Sequence, residues 1–152
     1  MELTAKNLNR FLMFKLPSAF LCGVSLKEID NKKAITTVTH RWINQNPFNS
    51  MYFAVQSMAA ELATGALVIK KIKESNRPIS MLVTNHTGSF SKKATGQITF
   101  TCLDGDLIQS ALNETIKTGL GQTIKMKSVG VNKNGEVVSA YEFEWSVRLK
   151  EK

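Results

Sequence analysis

Two histidines and two cysteines are all that this chain of 152 residues offers as soft ligands or partners for a nucleophile. His40 and His86 are far apart in sequence and give no zinc-site spacing. Cys22 and Cys102 form no close-spaced redox pair, and reduced thiols in a cytoplasmic protein are the expectation. There is no glycine-rich nucleotide loop, no Ser-His-Asp elbow and no zinc motif, so metal and cofactor chemistry is not expected. No convincing signal peptide is present, because Lys15 and Pro17 interrupt the apolar start. Ala19-Phe20-Leu21-Cys22 has a faint lipoprotein look, but Leu21 is too large for the position before the cysteine. Repeats, low-complexity segments and linkers are missing as well, which leaves one domain over residues 1–152.

Acidic residues are also scarce. Twelve Asp and Glu stand against twenty Lys and Arg, a net charge of +8. That balance suits an anionic partner, such as a phosphorylated cofactor, a nucleic acid or an acidic surface. The plain alternative is a basic protein with solvated lysines. Small clusters occur at Lys70-Lys71-Lys73, Lys92-Lys93 and Lys125-Lys127. An arginine-rich arm or nucleic-acid motif is absent, so no nucleic-acid partner is expected.

What is there is one long apolar stretch, Phe48 to Ile72, in which Glu61 is the only charged residue before Ile69. Its Ala, Met and Leu residues favour a helix over about 48–73, with Ser50 as a cap and Pro47 near the start. The run is long enough to cross a bilayer, but Gln56, Glu61 and the amphipathic strands that follow argue against a membrane span. A helix apolar on almost every side has to be wrapped on almost every side. A carboxylate in its middle costs free energy unless it is paired, protonated or used.

Around this helix the chain reads as strands. Glu2 to Phe14 forms an N-terminal helix with Leu3, Leu8, Phe11, Leu12 and Phe14 on its apolar side. Pro17 ends it, so residues 1–16 are expected to pack over the domain edge. A role at a membrane surface is the weaker alternative, because the polar face carries few positive charges. Gly23–Ile29 and Ala34–Trp42 make a hairpin around Asp30-Asn31-Lys32-Lys33, and the alternation places His40 with Val38 and Trp42 at a core or interface face. Ile79–Gly88 and Thr95–Leu103 follow as strands, the second placing Ile98, Phe100 and Cys102 on one face. Asp106 caps a short helix, Leu107–Thr118, that ends at Gly119. Gln122–Val131 and Glu136–Leu149 are joined by Asn132-Lys133-Asn134-Gly135, a hairpin signal. Tyr141, Phe143, Trp145, Val147 and Leu149 share the dry face of the last strand. An antiparallel sheet with one apolar face, beside one very apolar helix, predicts an α+β architecture in which the sheet curls around the helix.

This layout resembles the hotdog fold, a curved antiparallel sheet wrapped around a long central helix. Asn46-Pro47-Phe48-Asn49-Ser50-Met51 through Ala60-Glu61 is similar to the helix-start signature of hotdog acyl-CoA thioesterases. In those proteins an Asn-His-x-Gly-like loop opens the helix, and an Ala-Glu or Ala-Asp pair follows about three turns later. Phe90-Ser91-Lys92-Lys93-Ala94-Thr95-Gly96 looks like the family's aromatic-x-basic-Pro-Ala-x-Gly turn, with Lys93 where proline is common. The likeness spans about Gly23 to Leu149 and is strongest to an unassigned thioesterase branch. It implies that Glu61 is the catalytic base and that Asn46 positions water or the thioester. It also implies that backbone near Asn49, Ser50 and Met51 holds the thioester oxygen. Two subunits would pair so that Glu61 of one faces the loop of the other, in a homodimer or dimer of dimers. Pro47 stands where a histidine is frequent, and Asn49 where a glycine is frequent.

Each candidate also has a plain structural reading. Glu61 is either a base whose pKa is raised by its apolar site or a glutamate bonded to a strand or a dimer mate. Asn46 before Pro47 is either part of the site or an ordinary turn. Asn85 and His86 contact substrate, or His86 is a surface histidine of a strand. Lys92 and Lys93 either meet the phosphates of coenzyme A or form a charged turn. The expectation carried forward is hydrolysis of a small acyl thioester, with coenzyme A arriving as part of the substrate and no cofactor. A non-catalytic protein that binds acyl-CoA or another acyl ligand, or a structural dimer, is the alternative.

Overall fold

The computed structural model describes residues 3–151. Thr4 caps helix α1 (Ala5–Lys15) by accepting a 3.3 Å hydrogen bond from the Asn7 N–H. After Pro17 comes a five-residue helix, α2 (Pro17–Leu21). The remaining order is β1 (Ser25–Ile29), β2 (Ala34–Thr39), α3 (Phe53–Ser75), β3 (Ile79–Phe90), β4 (Gln97–Cys102), α4 (Gly105–Thr118), β5 (Gln122–Val131) and β6 (Val137–Leu149). The six strands form one antiparallel sheet in the order β1-β2-β4-β5-β6-β3. No helix among the described residues is long and apolar enough to cross a membrane.

The sheet closes on α3 because small residues let it approach. Ala59, Ala60, Ala63 and Ala66 are fully buried, and the Thr36 hydroxyl of β2 donates to the Ala59 carbonyl at 2.7 Å. Larger side chains fill the space to either side. Ile98, Phe100 and Cys102 on β4, Met126 on β5 and Tyr141, Phe143, Trp145 and Val147 on β6 are all buried. Each large side chain removed from water contributes about 1.5–3 kcal/mol. On α4, Ile108, Leu112 and Thr115 are buried at helical spacing, and this face packs on α3, β5 and β6.

The two sheet edges differ. At β1 the Asn9 carboxamide of α1 donates to the Leu26 carbonyl at 2.9 Å and accepts from the Leu26 N–H at 2.8 Å. A helix therefore covers that edge, as expected for the N-terminal segment; Glu2 lies outside the described residues. At the other edge β3 runs for 12 residues, and every residue from Thr84 to Phe90 is exposed. A long bare edge of this kind is a template for pairing with another strand.

Several boundaries depart from expectation, β3 and β4 by two residues at one end. Strand β2 stops at Thr39, because Asn44 draws the chain into a 3₁₀ turn over Trp42–Asn44. The Asn44 carboxamide accepts from the Arg41 N–H at 2.8 Å and donates to the carbonyls of Cys22 and Thr39 at 3.0 and 2.9 Å. The alternation thus breaks, His40 is half-buried, and Trp42 points outward rather than into the core. Helix α4 begins at Gly105, one residue before Asp106, so Asp104 holds the cap position. The central helix starts at Phe53, five residues later than 48, and Ser50 does not cap it.

Candidate active site

The late start of α3 is caused by the loop before it. The Asn46 side-chain oxygen accepts from the N–H of Phe48 at 2.9 Å and of Ser50 at 3.3 Å. Its amide nitrogen donates to the Ser50 hydroxyl at 3.0 Å and reaches the Met51 carbonyl at 3.4 Å. One side chain therefore satisfies the polar groups of a turn that would otherwise have wound into helix. Asn49 adopts φ +56°, a left-handed conformation that glycine takes freely and asparagine tolerates better than most residues. The position thus keeps the backbone a glycine would give. The Met51 N–H is bound to the Ala94 carbonyl at 2.8 Å, and the Tyr52 N–H to the Asn44 carbonyl at 2.9 Å.

These bonds move the candidate oxyanion donors. Ser50 and Met51 have committed their N–H groups to the loop and to Ala94. The first free ones belong to Phe53 and Ala54, which open α3 and have no partner among the described residues. Tyr52 at the cap gives no side-chain bond. The positive end of a helix of 23 residues is thus left open.

One face of the first half of α3 carries Phe53, Ala54, Ser57, Met58 and Glu61. With Val83 and His86 of β3 and Phe143 of β6, it lines an open groove of about 460 Å³. The Glu61 carboxylate makes no hydrogen bond or ion pair with any described residue, although the backbone carbonyl of Glu61 accepts from the Thr64 hydroxyl at 2.9 Å. Its apolar surroundings disfavour the charged form and push its pKa up to about 7. The His86 ring stacks on Phe143, with centroids 5.5 Å apart and planes 11° from parallel. Asn85, in register with Glu144 rather than with Phe143, lies on the opposite face of the sheet from His86 and does not join the groove.

A second groove adjoins the first through Phe53. It is lined by the 46–53 segment, Gln56 and the turn from Phe90 to Ala94. Asn46 stands here, so within one chain Asn46 and Glu61 line different grooves. Lys92 is paired with Glu136, and the Lys93 ammonium donates to the Phe48 carbonyl at 3.1 Å. The charge of Lys92 is therefore met by a carboxylate, whereas Lys93 only donates a hydrogen bond to a neutral oxygen. No three His, Cys, Asp or Glu side chains converge as a metal site among the described residues.

Several residues that hold the site were not singled out from sequence. The Gln56 side chain is buried and accepts from the Ser139 hydroxyl of β6 at 2.9 Å. The Tyr141 hydroxyl donates to the Phe53 carbonyl at 3.3 Å, and the Trp145 indole N–H to the Thr64 hydroxyl at 3.0 Å. These bonds pin the first turn and the middle of α3 to β6. The alternation of β6 places both aromatics on the core face, but it says nothing about which helix atoms they reach.

A six-stranded antiparallel sheet that wraps one long helix is the hotdog fold. Solved structures share it along nearly the whole chain. A protein of unknown function from Pseudomonas aeruginosa, called a probable thioesterase, matches with TM-score 0.83 at 22% identity, over 99% of each chain. One of unknown function from Chlorobaculum tepidum matches with TM-score 0.81 at 17% identity, over 96% of this chain and 94% of its own. A thioesterase from Haemophilus influenzae matches with TM-score 0.74 at 12% identity, over 98% and 93%. The chain belongs to the family described as domain of unknown function DUF4442, whose model matches residues 4–147. No curated protein matches it.

Proposed function

We propose that this protein hydrolyses acyl thioesters, with Glu61 as the general base. The observation that carries the reading is Glu61 itself, a carboxylate without a partner in an apolar groove. A pKa near 7 leaves such a group partly ionised at neutral pH and basic enough to take a proton from water. The names of the Pseudomonas and Haemophilus structures support the same class of reaction.

The chemistry follows from the groups present. Glu61 removes a proton as water oxygen bonds to the thioester carbonyl carbon, and the carbonyl π electrons move onto oxygen. The Phe53 and Ala54 N–H groups and the helix dipole stabilise that oxyanion. Collapse re-forms the carbonyl and breaks the C–S bond, and the departing thiolate takes the proton from Glu61. The acyl portion lies along the apolar wall of Met58, Val83 and Phe143, with His86 at its rim.

A single chain does not bring these parts together. Seven residues separate Ala54 from Glu61, about 10 Å along a helix axis. A thioester carbon needs the oxyanion donors and the attacking water each about 3 Å away. A homodimer with antiparallel helices sets Glu61 of one subunit against the helix start of the other. The bare β3 edge and the half-open groove beside it support that arrangement.

A second reading has its own observation. The Asn46 amide is used up by its loop, and Pro47 has no N–H to give. A protein that binds an acyl thioester without cleaving it fits that loop. A panel of acyl-CoA and acyl-pantetheine substrates decides between them. Hydrolysis by the wild type that disappears in Glu61→Gln, with an unchanged melting temperature at pH 5–6, supports the enzyme. Thermal stabilisation by acyl-CoA without turnover selects the binding protein, and full turnover in Glu61→Gln removes Glu61 from the mechanism.

A further inference from the structure

The end of α1 leads into α2 and packs on it, and the 3₁₀ turn is tied to the residues just after α2. Asn44 donates to the Cys22 carbonyl at 3.0 Å, and the Arg41 guanidinium lies over Gly23, where a Cβ would stand 2.1 Å from it. The turn that carries Trp42 is thereby fastened against the end of α2. What these segments present to solvent is apolar and aromatic. Trp42 is 83% exposed, Phe14 74% and Leu21 61%, and Phe11, Leu16 and Phe20 are each more than two-fifths exposed. The core contacts of the same segments are made by other residues, Leu8, Leu12 and Ala19. The exposed set is therefore surplus to folding.

The segments that carry this patch hold charges of one sign. No Asp or Glu occurs between Leu3 and Lys27, or between Asn31 and Ala60. Lys6, Arg10 and Lys15 fall on α1 and Arg41 beside the 3₁₀ turn, whereas Lys27, Lys32 and Lys33 lie toward the far end of the β1–β2 hairpin, where Lys33 pairs with Glu28 at 2.8 Å. Arg10 stands one helical turn from Phe14, and Lys15 one turn from Phe11. The polar face of α1 alone carries few positive charges, but Phe11 and Phe14 are exposed rather than packed. With Arg10 and Lys15 beside them, joined by Arg41 next to Trp42, they match the interface of an anionic bilayer, where tryptophan is also favoured. A second copy of the chain is the poorer occupant: a two-fold contact would bring the same cations face to face.

We propose that this surface docks the protein on anionic lipid bilayers, with Phe14, Leu21 and Trp42 entering the interface and Arg10, Lys15 and Arg41 meeting the headgroups. The protein lies on the membrane and does not cross it. The contact is independent of Glu61 and of the hydrolysis proposed above.

The test is co-sedimentation of the full chain with vesicles of phosphatidylglycerol mixed with phosphatidylcholine, against vesicles of phosphatidylcholine alone. Binding to the mixed vesicles is expected to exceed that to the neutral ones by roughly tenfold or more, and to weaken in high salt. Trp42 is the exposed one of the two tryptophans, so its emission shifts to the blue on binding, and Trp42→Phe removes the shift. The double variant Phe14→Ser with Leu21→Ser leaves Leu12 and Ala19 in place and should melt like the wild type but lose vesicle binding. Equal binding to both vesicle types, or none to either, overturns the proposal. So does unchanged binding by the double variant, or a variant whose only change is a smaller oligomer in solution.

Discussion

Gly65 lies one helical turn beyond Glu61, and a Cβ placed on it would stand 3.2 Å from Glu61 Oε1 and 3.2 Å from Trp145 Cζ2. Glycine in the interior of a helix costs about 1 kcal/mol relative to alanine, so its presence in α3 needs a reason. The missing methyl leaves room for the carboxylate on one side and the indole on the other. Gly65→Ala sets the propensity gain of about 1 kcal/mol against an overpacking penalty of about 1–3 kcal/mol. The indole is fixed by its bond to Thr64 and cannot withdraw freely. The expected result is a net loss of up to about 2 kcal/mol, an altered near-ultraviolet dichroism from Trp145, and a lower kcat on any thioester the protein cleaves. A stabilised variant with full activity would remove the close packing as the reason for Gly65.

The same carboxylate sets a pH dependence of stability. Burial raises the Glu61 pKa from 4.5 to about 7, so the folded chain holds a proton that the unfolded chain releases between these values. Stability from this group is complete below pH 4.5 and is lost as pH rises to about 7. The loss amounts to at most about 3 kcal/mol for a shift of this size, less to the extent that water reaches the half-buried carboxylate. Glu61→Gln cannot ionise. Urea unfolding at pH 5 and pH 8 should show wild type losing stability relative to the variant at the higher pH. Parallel pH profiles of the two proteins would mean that Glu61 has an ordinary pKa in the folded state. If Glu61 is the base, kcat/KM rises with pH over the same range.

The strand pattern was legible because each signal is local. Alternation along Tyr141, Phe143, Trp145 and Val147 and the Asn134-Gly135 turn depend on residues near one another in sequence, and both stand as read. Glu61 was visible for a similar reason, as one charge in an apolar run. The helix start was not legible. Phe48 to Tyr52 suits a helix by propensity, but Asn46 captures the Phe48 and Ser50 N–H groups and Ala94 captures that of Met51. Ala94 is more than forty positions away, and no window around Met51 reveals it. Trp42 was misplaced for the same kind of reason: Asn44 bonds to Cys22, across a hairpin, and ends the strand before Trp42 is reached. The pairing of Lys92 with Glu136 likewise joins two distant turns.

Asn46 separates scaffold from chemistry. Asn46→Ala removes the acceptor for two N–H groups and both donors to the loop, and should cost about 1–3 kcal/mol. Asn46→Asp keeps the acceptor and loses the donors, so its loss should be smaller. A residue that only builds the loop predicts that activity falls in step with local order, read as faster proteolysis between Pro47 and Ser50. An Asn46→Asp protein with wild-type stability and protease resistance but no turnover would instead give the amide a direct role at the reacting atoms.

The Gln56–Ser139 bond offers the sharpest test of what holds the helix start in place. Both side chains are buried, and the bond between them is 2.9 Å long. Ser139→Ala leaves the Gln56 carbonyl oxygen without that donor in a site closed to water, and Gln56→Leu leaves the Ser139 hydroxyl without its acceptor. Each single change should cost about 1–3 kcal/mol, because the orphaned group has lost water without gaining a partner. The double variant has no orphan at this pair, so its loss should fall below the sum of the two single losses by about 1 kcal/mol or more. Gln56 also donates weakly to the Met51 carbonyl at 3.4 Å. Gln56→Leu should therefore loosen the loop before α3, whereas Ser139→Ala should not. Chemical denaturation gives the cycle, and hydrogen exchange at the Phe53 and Val55 amides reports the loop. Strict additivity would mean that the two groups act separately, and among the described residues the hydrogen bond from Tyr141 to the Phe53 carbonyl would then be what ties the first turn of α3 to β6.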